Sequence, residues 1–167
     1  ASGGKETIGF GWERILEHLR QQAYLTKGVK IVVIDERKVI KPKDKTAGES
    51  PENSYTFCFE GGIISYVKFL NRDETPKHPN IFYTLKEADV GGGRKILVEV
   101  AFQYTEDIQA KELSFANNIH TAEGGMHLTG FRTALTRALN DYARKNEYLK
   151  KDDETLTGED AREGLTA

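Results

Sequence analysis

The stretch SFANNIHTAEGGMHLTGFRTALTRALN, residues 114–140, decides the fold class, because within it the periodicity changes from that of a strand to that of a helix. Near its start, alternation predicts a strand. The residues on one side of that strand are Leu113, Phe115 and Asn117. Further on, apolar residues recur at three- and four-residue spacing, which predicts a helix from about His127 to Asn146. Its apolar stripe consists of Leu128, Phe131, Leu135, Leu139 and Tyr142.

Patterns of apolar residues in the first part of the chain predict two more helices and two strands. Helical periodicity covers Trp12 to Leu25, with Gly28 as the stop signal, and it recurs from Ile63 to Leu70. The β-branched run from Val29 to Ile34 and the run from Tyr55 to Phe59 favour strands. Between these strands, residues 38–54 mix charge with proline and glycine and predict a long exposed loop or a hairpin tip.

Two longer strands are predicted in the middle of the chain. The runs IFYTLK, residues 81–86, and RKILVEVAFQYT, residues 94–105, flank a VGGG turn and are typical of paired antiparallel strands. Strands and helices interleave without the strict strand-helix-strand repeat of a parallel fold. We therefore predict an α+β fold, with a mixed or antiparallel sheet covered by helices on one face.

The composition indicates one domain of ordinary size. The chain has 167 residues, of which 38% are hydrophobic. Residues 1–11 are interpreted as a linker or a foreign remnant, 12–151 as the domain core, and 152–167 as an acidic tail. The tail contains a short helical GEDARE stretch and is expected to hang free.

Charge, cysteine and hydropathy patterns exclude several classes of protein. Lys and Arg total 24 against 26 Asp and Glu, so a formal net charge of -2 excludes a blanket attraction for nucleic acid. The single cysteine, Cys58, cannot form an intrachain disulfide, which favours a reducing compartment. The sequence contains neither a membrane-spanning apolar run nor a signal peptide. We therefore predict a cytoplasmic protein without a membrane partner.

Sequence motifs predict no catalytic residue and no metal ligand in this chain. The four histidines lack the spacing of zinc sites, and phosphate-binding glycine motifs are absent. Two triplets, Glu60-Gly61-Gly62 and Glu123-Gly124-Gly125, stand where a strand region meets a helix. They are interpreted as tight structural corners, and anion contact through bare backbone N–H groups is the alternative.

Three arginines of the last long helix are candidates for contact with DNA. At 100° per residue, Arg137 and Arg144 lie roughly opposite the apolar stripe, and Arg132 lies on its flank. A basic face that is simply solvated is the alternative. A stand-alone nucleic-acid-binding module would use the same three residues, although the net charge argues against tight binding. A small metal-dependent or acid-base enzyme is a third alternative, but the sequence shows no arrangement of residues that suits one.

Three stretches carry a resemblance to a known family. They are residues 114–140, LEHLRQQAYLTKGVKI at 16–31, and FEGGIISYVKFLN at 59–71, which TPKHPNIFY follows shortly after. In order and spacing they resemble the transducer domain of DNA gyrase B subunits. The resemblance implies a type IIA topoisomerase, either gyrase or the equivalent domain of topoisomerase IV. It also implies the fold shared with the second domain of small-subunit ribosomal protein five, here truncated at the C-terminal end.

The resemblance further implies how such a chain would work. ATP and Mg²⁺ are expected for the complete subunit and not for this part, because the family's ATP site lies mainly upstream and its Gln-Thr-Lys loop lies beyond the last residue. The implied partners are DNA, the gyrase A subunit and a second B subunit, which pairs through the upstream ATPase domain. The family's cavity-lining arginine corresponds to Arg132 in the triplet GFR. The chain would relay ATP-driven movement to DNA strand passage and be inactive alone.

Overall fold

The computed structural model describes residues 11–36, 54–150 and 152–167. The predicted linker, apart from Gly11, and the predicted loop, apart from Ser54, lie outside the described residues. The chain divides into two compact units, residues 1–65 and residues 66–167, which are described separately. The division falls inside the second helix and differs from the predicted boundaries, which stay predictions.

The first unit packs one helix on a two-stranded antiparallel sheet. Helix α1 (Trp12–Leu25) is followed by β1 (Ile31–Ile34) and β2 (Ser54–Phe57), which pair with Ile31 opposite Phe57. The apolar stripe of α1 supplies the core, because buried Leu16 and Ala23 pack with Phe57. Tyr24 stacks on Phe59 at a centroid distance of 3.7 Å. Helix α2 (Ile63–Leu70) begins in this unit and ends in the next.

The second unit is built on a long hairpin. Strands β3 (Phe82–Asp89) and β4 (Lys95–Tyr104) pair antiparallel over their whole length, with Phe82 opposite Phe102 and Asp89 opposite Lys95. Helix α3 (Met126–Lys145) packs against the end of this hairpin remote from its turn, where Phe131 lies 6.2 Å from Phe102 between ring centroids. The named strands of the described residues all pair antiparallel, and one isolated bridge, from Lys111 to Thr166, is parallel. The α+β fold class predicted from the sequence is confirmed.

The strand predicted around residues 113–117 is instead a short hairpin. Its strands are β5 (Phe115–Ala116) and β6 (Ile119–His120). Asn117 and Asn118 form the turn between them with φ values of 49° and 65°. Asparagine tolerates this left-handed backbone better than most residues, and two consecutive positive φ values match the twist of a tight hairpin. The alternation therefore ends at Asn117, where the chain reverses.

The end of the chain is part of the second unit, so the prediction of a free tail is wrong for residues 160–167. A short 3-10 helix (Asp160–Arg162) leads to β7 (Leu165–Thr166), which pairs with β4 at Gln103 and Tyr104. Leu165 has no exposed surface and Thr166 only 1%. The acidic residues suggested a solvated segment, but the apolar and small residues between them are buried against β4.

The apolar stripe of α3 is covered for only part of its length. Leu135 is buried, while Leu128, Phe131 and Leu139 are half-buried and Tyr142 is exposed, against the expectation for this last position. The neighbouring flank of the helix is also covered. There Asn140 bonds the backbone of Leu156, accepting from its N–H at 2.8 Å and donating to its carbonyl at 3.0 Å. The final segment thus runs along the flank of α3 that also bears Arg132 and Thr136.

Within the described ranges, no helix is long and apolar enough to cross a membrane.

Candidate functional site

The three arginines predicted to contact DNA lie on two different faces of α3. Arg137 and Arg144 are seven residues apart, about two helical turns, and therefore share a face. Both are exposed, and Arg137 lies 3.7 Å from Asp141 on the same face. Arg132 lies on the flank, where 41% of its side chain is exposed. The structure therefore brings Arg137 and Arg144 together and sets Arg132 apart from them.

Arg132 is held by a carboxylate that sequence reasoning missed. Its Nε donates to both oxygens of Glu112, at 3.0 and 3.2 Å, and its Nη2 donates to Oε2 at 2.6 Å. These hydrogen bonds, together with the negative charge of Glu112, raise the pKa of Arg132. The guanidinium therefore stays charged throughout the physiological pH range.

A second arginine, also missed from the sequence, approaches the same carboxylate. Arg162 Nε lies 3.9 Å from Glu112 Oε2, and the Glu112 side chain is only 9% exposed. Arg162 belongs to the 3-10 helix of the final segment. Glu112 lies in the loop between β4 and β5, so three elements meet at one carboxylate. Two guanidinium groups against one carboxylate leave a formal charge of +1 for the cluster, which we call the Glu112 cluster (Glu112, Arg132 and Arg162).

Two members of the Glu112 cluster, Glu112 and Arg132, line a polar cleft at the start of α3. The cleft has a volume of about 220 Å³, and the predicted corner Glu123-Gly124-Gly125 lines it. Inside it, Ser114 and Thr121 share a hydrogen bond between their hydroxyl oxygens at 2.7 Å, and Thr121 Oγ1 lies 3.2 Å from His127 Nε2. These contacts tie the β5–β6 hairpin to the first turn of the helix.

The two Glu-Gly-Gly corners lie immediately before α2 and α3. Gly62 has a φ of +55° and Gly124 a φ of +77°, a region that side chains rarely adopt. A Cβ on Gly125 would lie 2.9 Å from the His127 ring. Glycine therefore allows each chain reversal into the helix. Glu60 and Glu123 are both exposed at these corners.

The described residues do not combine into a metal site. No group of three His, Cys, Asp or Glu side chains in residues 11–36, 54–150 or 152–167 is placed to hold an ion. Cys58 is a free, exposed thiol. The exposed arginines of this part of the chain are chemically suited to binding an anion such as phosphate.

Solved structures define the class of protein to which this fold belongs. The chain is similar to the 43K ATPase domain of Thermus thermophilus gyrase B, solved in complex with an aminocoumarin, with a TM-score of 0.72 and 33% identity. The match covers 96% of this chain and 39% of that one. The gyrase B protein from Myxococcus xanthus shares the fold at a TM-score of 0.68 and 22% identity, again over 96% of this chain and 39% of that one. The fold is that of a gyrase B fragment.

Similarity in amino-acid sequence leads to the same family as the solved structures do. The family model described as DNA gyrase B matches residues 62–167. The DNA gyrase B protein of Streptococcus pneumoniae serotype 4 is 43% identical over 162 residues, which cover 97% of this chain and 22% of that protein. Its counterpart in Bacillus mycoides is 44% identical over 163 residues, 97% of this chain and 36% of that protein. The chain belongs to the DNA gyrase B family and spans about a fifth to a third of the length of these relatives. The resemblance seen in the three sequence stretches is confirmed.

Proposed function

We propose that this chain is the front part of the transducer domain of a type IIA topoisomerase, which relays ATP binding and hydrolysis to the passage of DNA. The family match over residues 62–167 carries this proposal. The complete subunit would act in the cytoplasm as an ATP-dependent isomerase of DNA topology. Its partners would be DNA, the gyrase A subunit and a second gyrase B chain.

The packing of the second unit supports a relay that moves as a rigid body. Strand β4 is central in its sheet, because β3 pairs with it from Lys95 to Phe102 and β7 pairs with its end, at Gln103 and Tyr104. Tyr104 at this end also donates from its hydroxyl to the carbonyl of Ala161 at 2.7 Å. A body whose last segment is pinned to its central strand can transmit a rotation without deforming.

The nucleotide chemistry is assigned to the complete subunit. ATP and Mg²⁺ would bind there, and the residues described here include no cluster suited to Mg²⁺. The proposed contribution of the chain is mechanical, with Arg132 as the contact to the passing DNA and Arg137 and Arg144 as further phosphate contacts on a second face.

Arg132→Gln in the complete subunit tests the relay. We expect basal ATP turnover to stay near wild type, while its stimulation by DNA falls about fivefold or more, because a charged contact to a phosphate is lost. The measurement is ATP turnover with and without duplex DNA. Arg94→Gln is the matched control, since Arg94 is exposed near the β3–β4 turn and its substitution removes the same charge elsewhere. Unchanged stimulation in Arg132→Gln would contradict the DNA contact.

A further inference from the structure

The Glu112 cluster combines three features that a surface ion pair does not have. Its carboxylate is 9% exposed, its main partner binds through two nitrogens, and a second arginine shares the charge. Exposed ion pairs contribute little order because both side chains remain free to move. A largely covered carboxylate bonded to two nitrogens of a planar guanidinium instead fixes the orientation of that plane.

The bonds to Glu112 use one edge of the Arg132 guanidinium. Nε and Nη2 form the side edge, and both donate to Glu112. The end edge, formed by Nη1 and the second hydrogen of Nη2, is not committed to Glu112. A phosphate can accept two parallel hydrogen bonds from that end edge while the side edge stays paired. Arg132 also lines the cleft and 41% of its side chain is exposed, so part of this side chain can be reached from solvent.

Arg162 keeps the cluster positively charged. Paired with Glu112 alone, Arg132 would form a neutral unit and attract a phosphate weakly. Arg162 adds a positive charge 3.9 Å from the same carboxylate. Its position is well defined, because the preceding Ala161 is only 2% exposed. A Cβ on Gly158 would lie 3.0 Å from Arg162 Nη1, so the absence of a side chain at Gly158 leaves room for this guanidinium.

We propose that Glu112 is a positioning residue for Arg132. Together with Arg162, it holds the guanidinium so that the end edge is presented to a backbone phosphate of DNA. This role rests on the proposed function, since it requires Arg132 to contact DNA. Arg132 is then already oriented for the contact before DNA arrives, and the residues that orient it do not themselves touch the phosphate. Preorganisation of this kind reduces the side-chain entropy lost on binding.

Glu112→Gln distinguishes positioning from simple electrostatics by the sign of its effect. The substitution raises the formal net charge from -2 by one unit, so electrostatics alone would tighten binding to duplex DNA. Positioning predicts the opposite, an affinity weakened about fivefold, because a neutral amide holds the guanidinium less firmly. The measurement is the affinity of the complete subunit for a short duplex at low salt and across a salt series.

Two controls isolate the role of Glu112. Glu163→Gln makes the same charge change at an exposed position of the final segment, next to Arg162, and is expected to leave binding unchanged or slightly tighter. In an Arg132→Gln background, Glu112→Gln is expected to have no further effect, because Glu112 acts through Arg132. If Glu112→Gln does not fold, as judged by circular dichroism, Arg162→Gln replaces it. Arg162→Gln is expected to weaken binding more than Arg94→Gln does.

The outcomes separate this proposal from the proposed function. Tighter binding by Glu112→Gln, or the same loss in the Arg132→Gln background, would overturn the positioning role alone. If Arg162→Gln is used instead, a loss of DNA affinity no greater than that of Arg94→Gln would also overturn the positioning role. If Arg132→Gln binds DNA as well as the wild type, or if the wild type does not bind at low salt, the DNA contact itself is overturned and the positioning role with it.

Discussion

Gly164→Ala is expected to lower the free energy of unfolding of the second unit by about 3 kcal/mol or more. Gly164 has a φ of +73°, which is unfavourable for any residue with a Cβ. The added Cβ would also lie 2.5 Å from the carbonyl oxygen of Thr105 and 2.8 Å from that of Asp107. Both obstacles are backbone atoms, so no side-chain rotation can relieve the overlap. Strand β7 and the 3-10 helix would have to move away from β4.

Hydrogen exchange at two amides measures this loss directly. The Thr105 N–H donates to Gly164 O at 2.8 Å and the Lys111 N–H donates to Leu165 O at 2.7 Å. Both should lose protection in Gly164→Ala.

Gly130→Ala is the matched control. Gly130 lies within α3 and has no heavy atom within 4 Å of a built Cβ. Alanine is the better helix former, so this variant is expected to stabilise the unit by about 0.5–1 kcal/mol. Equal protection in Gly164→Ala and Gly130→Ala would show that the close approach at Gly164 is not a constraint.

The sequence predicted those elements whose signal is local. Helix α3 and the β3–β4 hairpin follow from the spacing of apolar residues within one segment, and the structure confirms both. The burial of Leu165 could not be predicted in this way. Its cover comes from β4, some sixty residues earlier, and its neighbours Glu159, Asp160 and Glu163 make the segment look solvated. A two-residue strand has no periodicity of its own.

Only one of the three residues of the Glu112 cluster was predicted from the sequence. Arg132 was found because the triplet GFR resembles a family motif. Glu112 and Arg162 were missed, because they lie 20 and 30 residues from Arg132 in the sequence and only the fold brings them together. The available signal was weak, an acidic residue in a loop and an arginine in a short helical stretch. Opposite charges that meet through tertiary structure leave no spacing that a single sequence can reveal.

A buried polar chain connects the last strand to the rest of the second unit. Thr166 Oγ1 donates to Asn71 Oδ1 at 2.7 Å, and Asn71 Nδ2 donates to Gln103 Oε1 at 3.0 Å. Gln103 Nε2 in turn donates to the carbonyl of His78 at 2.9 Å. The three side-chain partners, Asn71, Gln103 and Thr166, are 5%, 4% and 1% exposed. Water therefore cannot replace a missing partner at low cost.

Asn71→Leu is expected to destabilise the second unit by about 3 kcal/mol, because it leaves Gln103 Oε1 and Thr166 Oγ1 buried without a partner. Protection of the β4 and β7 amides against hydrogen exchange measures the loss. Asn80→Leu makes the same change at an exposed position and should cost about 0.5 kcal/mol or less.

The double variant Asn71→Leu with Gln103→Leu decides whether the loss comes from unpaired polar groups or from altered shape. Unpaired groups predict that the double variant costs less than the sum of the two single changes, since it removes both members of one hydrogen bond. Altered shape predicts additive or larger losses, because two branched apolar side chains would then crowd the same space. Additive losses would mean that packing around Asn71, and not its hydrogen bonds, ties β7 to the unit.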